Sequence, residues 1–229
     1  MNKAEIIQKI LDKKKASTYL EIGVARGENF FPMKVRQKIA VDPNFTFNKI
    51  DQIKWTIKKP CNALAKFHGI TSDCYFANVR KYSSFDVVFI DGLHTYQQSL
   101  KDFCNSLENL KEDGVIVIHD CDPPHAAAAY PADSYEQAAL SNSPGWTGEW
   151  CGDVWKTICY LRSTRKDLRV FVLDCDYGLG IITRGAPDNC LELSEQELDN
   201  MTYEEFLRDR KKLLNLKPEN YLFEFLKDI

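Results

Sequence analysis

Apolar and polar positions alternate along the chain in blocks that predict a repeated order of strands and helices. The first block is the segment 3–14, whose isoleucines and Leu11 fall on one face of a helix. Two later blocks, 85–90 (FDVVFI) and 114–118 (GVIVI), are continuous apolar runs that are followed by Asp or His. Such runs are typical of strands that are buried on both faces of a parallel sheet. The pattern therefore predicts an α/β fold.

Seven segments have the character of strands, with helices predicted at 28–36, 48–59, 95–110 and 153–164. The strand segments are 18–24, 38–41, 67–71, 85–90, 114–118, 169–173 and 180–183. Too few residues separate the last two segments for a helix, so these strands form an antiparallel hairpin. We predict a doubly wound, mostly parallel seven-stranded sheet with helices on both faces and a terminal antiparallel strand.

The length of 229 residues favours one α/β domain with an appendage. We predict the domain in residues 1–188 and a C-terminal helical extension in residues 189–229. This extension either covers the sheet or forms a homo-oligomer contact through its helices. The segment 124–152 is too long for a bare connection, and it is an ordinary surface excursion or a lid or substrate loop. Its large aromatic residues are Tyr130, Tyr135, Trp146 and Trp150.

The composition of the chain mainly excludes some classes of partner. The 30 Lys and Arg residues against 33 Asp and Glu give a net charge of −3, so nucleic acid is not an expected partner. No apolar run approaches the roughly 18–20 residues of a membrane helix, and the first residues lack the apolar core of a secretory signal. The eight cysteines are scattered without a C-x-x-C pair, which favours reduced thiols. We expect a cytoplasmic protein without a membrane partner.

Acidic and imidazole side chains concentrate at the ends of the predicted strands. In open α/β sheets, ligands bind beyond the carboxyl ends of the strands. The five strand ends are the positions 21–27, 42, 71–73, 91–94 and 119–122. Two of the four histidines of the chain lie there, His94 and His119. This concentration predicts a ligand site at that edge of the sheet.

The first strand end has two glycines four positions apart, Gly23 and Gly27, and Asp42 follows at the end of the second strand. Glycine lets the backbone turn tightly and lets a ligand approach closely. A carboxylate such as Asp42 can accept hydrogen bonds from both hydroxyls of a ribose. The dinucleotide fingerprint G-x-G-x-x-G fits poorly, because Ala25 and Glu28 stand at glycine positions. Each feature alone is also compatible with a plain turn, but together they favour a nucleoside ligand.

These residues lie in an ordered set of motifs: E-I-G-x-x-x-G, V-D-P, F-D-V-V-F-I-D-G-x-H-T-Y, D-G-V-I-V-I-H-D and the closing hairpin. The set resembles the class I S-adenosylmethionine (SAM)-dependent methyltransferases over residues 17–185. The I-D-G-x-H-x-Y and H-D pieces are most similar to the branch that includes macrolide-sugar and rhamnosyl O-methyltransferases. The resemblance implies a Rossmann-like methyltransferase fold and a SAM-binding domain in residues 1–188.

The resemblance implies which residues bind the cofactor. Glu21, Gly23 and Gly27 would line the methionine end of SAM, and Asp42 would hold its ribose. The other predicted cofactor residues, after the third and fourth strands, are Ser72, Asp73 and Asp91.

The resemblance also implies residues for a divalent metal and for catalysis. Asp91 and Asp120 stand where that branch has metal ligands, and His119 stands where some relatives have a carboxylate ligand. Mg²⁺ on such ligands would lower the pKa of an acceptor hydroxyl. His94, three residues after Asp91, is the predicted general base. The structural alternatives are a helix cap for His94 and turn acids for the two aspartates.

We therefore expect a SAM-dependent O-methyltransferase that acts on a hydroxyl of a small molecule, a saccharide or a glycosylated metabolite, with Mg²⁺ assistance. Two alternatives stay open: a Rossmann oxidoreductase that binds a nicotinamide dinucleotide, and a non-catalytic methyltransferase-like binding or assembly module. The imperfect glycine fingerprint and the closing hairpin weigh against the oxidoreductase. The joint presence of Asp42, Asp91, His94 and Asp120 weighs against the non-catalytic module.

Overall fold

A computed structural model of the chain describes residues 1–78 and 84–229. Within these residues eight strands form one sheet. They are β1 (Thr18–Ile22), β2 (Gln37–Val41), β3 (Lys66–His68), β4 (Phe85–Ile90), β5 (Leu110–Ile118), β6 (Leu168–Asp174), β7 (Leu179–Arg184) and β8 (Leu216–Pro218). The order across the sheet is β3-β2-β1-β4-β5-β7-β6-β8.

Nine α-helices are seen in the same described ranges. They are α1 (Lys3–Lys13), α2 (Lys49–Lys58), α3 (Ser72–Asn78), α4 (Tyr96–Glu108), α5 (Tyr135–Leu140), α6 (Trp155–Thr164), α7 (Glu195–Asn200), α8 (Tyr203–Leu214) and α9 (Leu222–Asp228). Two 3-10 turns lie at Pro60–Leu64 and Glu219–Tyr221. None of the described helices has the length and apolar character needed to cross a membrane.

The sheet is mostly parallel, as the spacing of the strands predicts. β1 pairs in parallel with β2 and β4, β4 with β5, and β2 with β3. β7 is antiparallel to both of its neighbours, β5 and β6. Because β1 to β5 run in the same direction, their carboxyl ends meet at one edge of the sheet.

The prediction of seven strands is wrong by one, because β8 lies in the segment that was predicted to be only helical. β8 has three residues and pairs in parallel with the end of β6, with Leu216 opposite Val172. Asn215, in the left-handed conformation with φ +47°, ends α8, and its Nδ2 donates to the Val170 carbonyl at 3.1 Å. A strand of three residues is too short to show an alternating pattern, so only this tertiary contact defines it.

The helix predicted at 28–36 is also wrong, since the structure has successive turns there. Lys38 is buried on β2, and its Nζ donates to the carbonyls of Phe30 and Met33, both at 2.9 Å. Burial lowers the pKa of Lys38 to about 8. Pro32 lacks an N–H and disfavours helical backbone before it. The Lys38 ammonium thus donates to carbonyl oxygens that would accept hydrogen bonds from backbone N–H groups in a helix.

Helices cover both faces of the sheet over two buried apolar layers. Successive residues of a strand point to opposite faces, so Val88 of β4 belongs to one layer and Val87 to the other. The first layer contains Phe103 of α4, and the second contains the isoleucines of α1. The packing of helices on these two layers holds the sheet in place, and with it the edge on which the site residues lie.

The segment 189–229 packs on the same two layers. Phe206 of α8 lies 4.4 Å from Trp155, and Phe225 of α9 lies 5.3 Å from Phe171, between ring centroids. The large apolar side chains Phe206 and Phe225 of the segment therefore cover the sheet of this chain. The homo-oligomer contact and the division at residue 188 stay predictions.

Candidate functional site

Two cavities open side by side at the carboxyl edge of the sheet. The histidine cavity has a volume of about 410 Å³, and its polar lining includes Lys3, Glu21, Asn29, Asp91, His94, His119, Asp120 and Tyr177. The Asp42 cavity has a volume of about 540 Å³, and its polar lining is Asp42, Thr71, Ser72, Asp73, Asp91, His94, Gln98 and Asp102. Gly23, Asp91 and His94 line both cavities, so the two cavities meet at the ends of β1 and β4.

Gly23 allows the chain to leave β1 against the end of β4. Its φ is +80°, and a Cβ built there would lie 1.9 Å from the carbonyl oxygen of Asp91. Gly27 also has a positive φ, +74°, but a Cβ there would meet the ring of Phe31 at 2.4 Å. Of the predicted methionine-end residues, Glu21 and Gly23 line the histidine cavity, whereas Gly27 appears in neither of the two linings.

Asp42 holds the glycine turn against the end of β2. Its Oδ2 accepts from the backbone N–H groups of Val24 and Ala25, both at 2.8 Å, and its Oδ1 accepts from Asn44 at 2.7 Å. A carboxylate has about four acceptor sites, so these contacts leave capacity for ligand hydroxyls. The side chain lines the Asp42 cavity, where the resemblance places the ribose.

Ser72 and Asp73 line the far part of the Asp42 cavity, where they begin α3. Two further polar residues, which the sequence patterns missed, lie beside them on α4. Gln98 Nε2 donates to Asp102 Oδ1 at 2.9 Å and to Ser72 Oγ at 3.3 Å. Burial raises the pKa of Asp102 to about 6. The spacing of Gln98 and Asp102, four residues apart on one face of a predicted helix, was the available signal.

Glu21 is a buried carboxyl on β1 at the base of the histidine cavity. Its Oε2 accepts from Tyr19 Oη at 2.5 Å and from Asn29 Nδ2 at 2.8 Å. Burial raises the pKa of Glu21 to about 8. Asn29 Oδ1 is buried as well and has no hydrogen-bond partner among the described residues. The base of this cavity therefore offers a neutral acid and an unpaired acceptor.

The raised pKa of Glu21 predicts how a Glu21→Gln variant changes stability with pH. In the unfolded chain the acid ionises near pH 4.5, but in the fold it ionises only near pH 8. Its contribution to stability is therefore full below pH 4.5 and is lost as the pH rises toward 8. Glutamine does not ionise, so the variant should gain roughly 3–4 kcal/mol relative to the wild type across that window.

Denaturant unfolding of both proteins at several pH values measures this gain. Glu28→Gln is the matched control, because Glu28 lines the same cavity but is exposed. The control should show no pH-dependent gain. A constant difference in stability between Glu21→Gln and wild type over the window would contradict the buried neutral acid.

Asp91, His94, His119 and Asp120 form one cluster, here called the acid–imidazole cluster. His94 Nε2 lies 3.6 Å from Asp91 Oδ1 and 3.3 Å from Asp120 Oδ2. His119 Nδ1 lies 3.1 Å and 3.0 Å from the same two carboxylate oxygens. Asp120 has φ +59°, which turns the chain sharply after β5. The structure thus brings together the residues that the ends of the fourth and fifth strands supply.

The charges of the cluster stabilise one another. Burial alone would raise the pKa of Asp91, but the attraction and hydrogen bond of His119 hold that pKa well below its usual range. Burial opposes the charge of His94 too, yet Asp120 and Asp91 raise its pKa to about 9. The same carboxylates raise the pKa of His119 well above its usual range despite burial. Near neutral pH the cluster therefore holds ionised carboxylates beside imidazolium groups.

His94 is oriented by the end of the segment 124–152. Its Nδ1 lies 2.7 Å from the Trp150 carbonyl oxygen, and the two rings stack with centroids 5.2 Å apart. A carbonyl oxygen only accepts, so Nδ1 carries the hydrogen and Nε2 faces the carboxylates. Glu149, Trp150 and Cys151 line the histidine cavity. These three residues place the segment at the site, and its closure over an acceptor stays a prediction.

Three possible ligand atoms, one from each of Asp91, His94 and Asp120, lie within 4.8 Å of one another. This spacing fits a single divalent cation. Two carboxylates with an imidazole suit Mn²⁺ or another transition ion as well as Mg²⁺. His119, the third predicted ligand, lies beside this set, and its Nδ1 faces both carboxylates instead. Asp91 and Asp120 thus stand together as predicted, and His119 as a ligand stays a prediction.

The sequence patterns missed Lys3, Asn29 and Asp176 as site residues. Lys3 Nζ lies 2.8 Å from Asp91 Oδ2, and its backbone N–H donates to Asp176 Oδ2 at 2.6 Å. No motif marked Lys3 or Asp176, because the docking of α1 and the β6–β7 turn bring them to the acid–imidazole cluster. For Asn29, its position two residues after Gly27 was the only signal.

A family model described as a methyltransferase domain matches residues 20–121, which is less than half of the chain. No curated protein matches the chain. The matched range holds Glu21, Asp42, Asp91, His94 and Asp120.

Several solved O-methyltransferase structures have a similar fold. One is a Staphylococcus aureus protein assigned as a caffeoyl-CoA O-methyltransferase, with 17% identity, a TM-score of 0.58, and coverage of 80% of this chain and 82% of that chain. A second is a Bacillus cereus O-methyltransferase in complex with S-adenosylhomocysteine (SAH), with 13% identity, a TM-score of 0.54, and 81% and 82% coverage. A third is TomG of Streptomyces achromogenes, in complex with SAM, with 13% identity, a TM-score of 0.55, and 79% coverage of each chain.

At these identities the likeness establishes the fold. The chain has the Rossmann-like methyltransferase fold, with a mostly parallel sheet and antiparallel pairing near its C-terminal end. The predicted fold class is confirmed, apart from the number of strands. The family model, which is described as a methyltransferase domain, agrees with this fold over residues 20–121.

Proposed function

We propose that this protein is a SAM-dependent O-methyltransferase that methylates a hydroxyl group of a small polar molecule. The observation that carries the proposal is the meeting of the two cavities at Gly23, Asp91 and His94. The Asp42 cavity, which suits a nucleoside, opens beside the acid–imidazole cluster. This arrangement suits a reaction at the sulfonium of a nucleoside cofactor.

The cofactor spans both cavities in this proposal. The adenosine part occupies the Asp42 cavity, where Asp42 accepts from the ribose hydroxyls and Ser72 and Asp73 lie near the adenine. The methionine part enters the histidine cavity toward Glu21 and Asn29. The unpaired buried oxygen of Asn29 supports this orientation, because an unpaired buried acceptor is costly and an ammonium group would satisfy it. The sulfonium then lies at the junction, beside Asp91.

In the chemical step, the acceptor oxygen attacks the methyl carbon of SAM from the side opposite the sulfur. The new bond is C–O and the broken bond is C–S, whose electron pair stays on sulfur and gives SAH. The hydroxyl proton goes to Nε2 of the neutral form of His94, which becomes more populated as the pH approaches 9; Nε2 faces the carboxylates because Nδ1 is fixed by Trp150. Asp91 and Asp120 then stabilise the imidazolium that forms.

A divalent ion fits the same carboxylates. Asp91 and Asp120 would hold it, and it would lower the pKa of a bound acceptor hydroxyl. His94 has only one nitrogen facing the cluster, so it cannot be a metal ligand and the base at the same time. We assign His94 to the proton, which leaves Asp91 and Asp120 for the ion, with His119 as the further predicted ligand.

The acceptor is a saccharide or a glycosylated metabolite in this proposal. The histidine cavity has charged groups of both signs, Arg26 and Glu149, and the aromatic side chains Trp150 and Tyr177. Sugars combine many hydroxyls with an apolar ring face, so such a wall suits them. The similarity of the motifs to the macrolide-sugar branch points to the same class.

Mass spectrometry tests the reaction directly. The protein is incubated with SAM that carries a CD3 group and with a panel of saccharides, glycosides and small phenols. We expect one CD3 group to be added to a hydroxylated acceptor and SAH to form in equal amount.

Calorimetry with SAH and with NADH separates the alternatives. NADH binding without SAH binding would favour the oxidoreductase, and SAH binding without transfer to any acceptor would favour the non-catalytic module.

A further inference from the structure

Lys3 places a fixed positive charge in the wall of the histidine cavity. The residue begins α1, whose buried isoleucines anchor the helix on one face of the sheet. Its Nζ lies 2.8 Å from Asp91 Oδ2 and 5.8 Å from the centroid of the Phe89 ring. The side chain is 28% exposed, so the ion pair is only partly screened by water. Nothing in the proposed reaction uses this residue.

Two different parts of the chain hold Lys3 in position. Its side chain pairs with Asp91 at the end of β4, and its backbone N–H donates to Asp176 in the β6–β7 turn. Asp176 Oδ1 in turn lies 3.7 Å from His119 Nε2. The first turn of α1 is thus tied to the acid–imidazole cluster, and the ammonium is positioned rather than free to leave.

We propose that Lys3 is a resident cation of this site, in addition to His94 and His119, and that its ion pair with Asp91 weakens the binding of a divalent ion to Asp91 and Asp120. An ion on Asp91 would sit within a few ångströms of the ammonium, so the two cations repel each other through a partly buried, weakly screened space. Lys3 therefore sets how far methyl transfer depends on metal. The inference rests on the proposed function, since it concerns the same site.

Binding of Mn²⁺ alone, followed by electron paramagnetic resonance of the free ion, tests the inference without any turnover. Lys3→Met keeps an unbranched side chain that is one atom shorter, and it removes the charge. We expect this variant to bind Mn²⁺ about tenfold more tightly than the wild type, or better. Lys3→Arg keeps the charge, so its affinity should stay close to that of the wild type. Adding Asp91→Asn to Lys3→Met should abolish the gain.

Lys13→Met is the matched control. Lys13 lies on the same helix but is exposed at its other end, so its removal changes the net charge of the protein and leaves the cluster alone. It should bind Mn²⁺ like the wild type. Lys3→Gln provides a second neutral variant in case Lys3→Met does not fold. The inference is overturned if the neutral variants keep the wild-type affinity, if Lys13→Met gives the same gain, or if none of the proteins binds Mn²⁺.

Calorimetry with SAH on the same proteins separates this inference from the proposed function. If SAH binds to the wild type and Lys3→Met leaves the Mn²⁺ affinity unchanged, only the role of Lys3 is wrong. If SAH does not bind to the wild type, the proposed function itself fails, whatever the result with Mn²⁺.

Discussion

Replacing Gly23 with alanine is expected to abolish binding of SAH and to lower the free energy of unfolding by several kcal/mol. The residue has φ +80°, where a side chain costs roughly 1–2 kcal/mol. The added Cβ would also lie 1.9 Å from the backbone oxygen of Asp91 and 2.6 Å from the Cα of Gly92. Because those neighbours are backbone atoms, the ends of β1 and β4 must separate, and both cavities are built on them.

Denaturant unfolding and SAH calorimetry measure the two effects of Gly23→Ala. The matched control is Gly145→Ala, since Gly145 has nearly the same φ, +81°, with no described atom within 4 Å of its added Cβ. The control should lose only the roughly 1–2 kcal/mol of the backbone conformation and should keep its SAH affinity. Equal losses in the two variants, or normal SAH binding by Gly23→Ala, would contradict the junction of the cavities at Gly23.

Replacing His94 with glutamine is expected to lower kcat by a factor of roughly 10²–10⁴, which is the usual contribution of a general base. Glutamine can still donate to the Trp150 carbonyl, but it cannot take up the acceptor proton. Binding of SAH should change little, because the proposed adenosine contacts are made by Asp42, Ser72 and Asp73 and not by His94. Turnover is measured with the acceptor that the CD3 panel identifies.

The pH dependence of kcat/KM gives a second sign of the same base. Since the carboxylates raise the pKa of His94 to about 9, most of the residue is protonated at neutral pH in the metal-free enzyme. Activity should therefore rise with pH and level off above about 9, and His94→Gln should lack this rise.

His68→Gln is the control for the His94 variant, because His68 lies at the end of β3 and packs on Tyr75, 5.2 Å between ring centroids. It should keep wild-type turnover. An undiminished kcat in His94→Gln would remove His94 from the mechanism and leave it as a structural partner of Trp150.

The site residues at the strand ends could be predicted because parallel strands bring their carboxyl ends to one edge. The apolar runs that end at Ile90 and Ile118 place Asp91 and Asp120 next to each other once β4 and β5 pair. The pairing of Ile22 with Ile90 brings the glycine turn to the same place. The strand order and direction alone predict this meeting of the strand ends, without the positions of the side chains.

Other features depend on contacts between distant parts of the chain, which local patterns do not contain. Lys38 replaces a predicted helix with turns by donating to carbonyls such as that of Phe30. Lys3 reaches Asp91 only because α1 docks on one particular face. β8 forms only because Asn215 turns the chain toward β6. Burial also changed the chemistry of Glu21, whose motif position does not show that it is a neutral acid.

A crystal structure with bound SAH tests the central claim most directly. The proposal predicts that the ribose hydroxyls lie within hydrogen-bond distance of Asp42 and that the sulfur lies between Gly23 and Asp91. The open side of the sulfur should face His94 Nε2 and Asp120. Density for SAH outside both cavities, or a sulfur that faces away from the acid–imidazole cluster, would contradict the account.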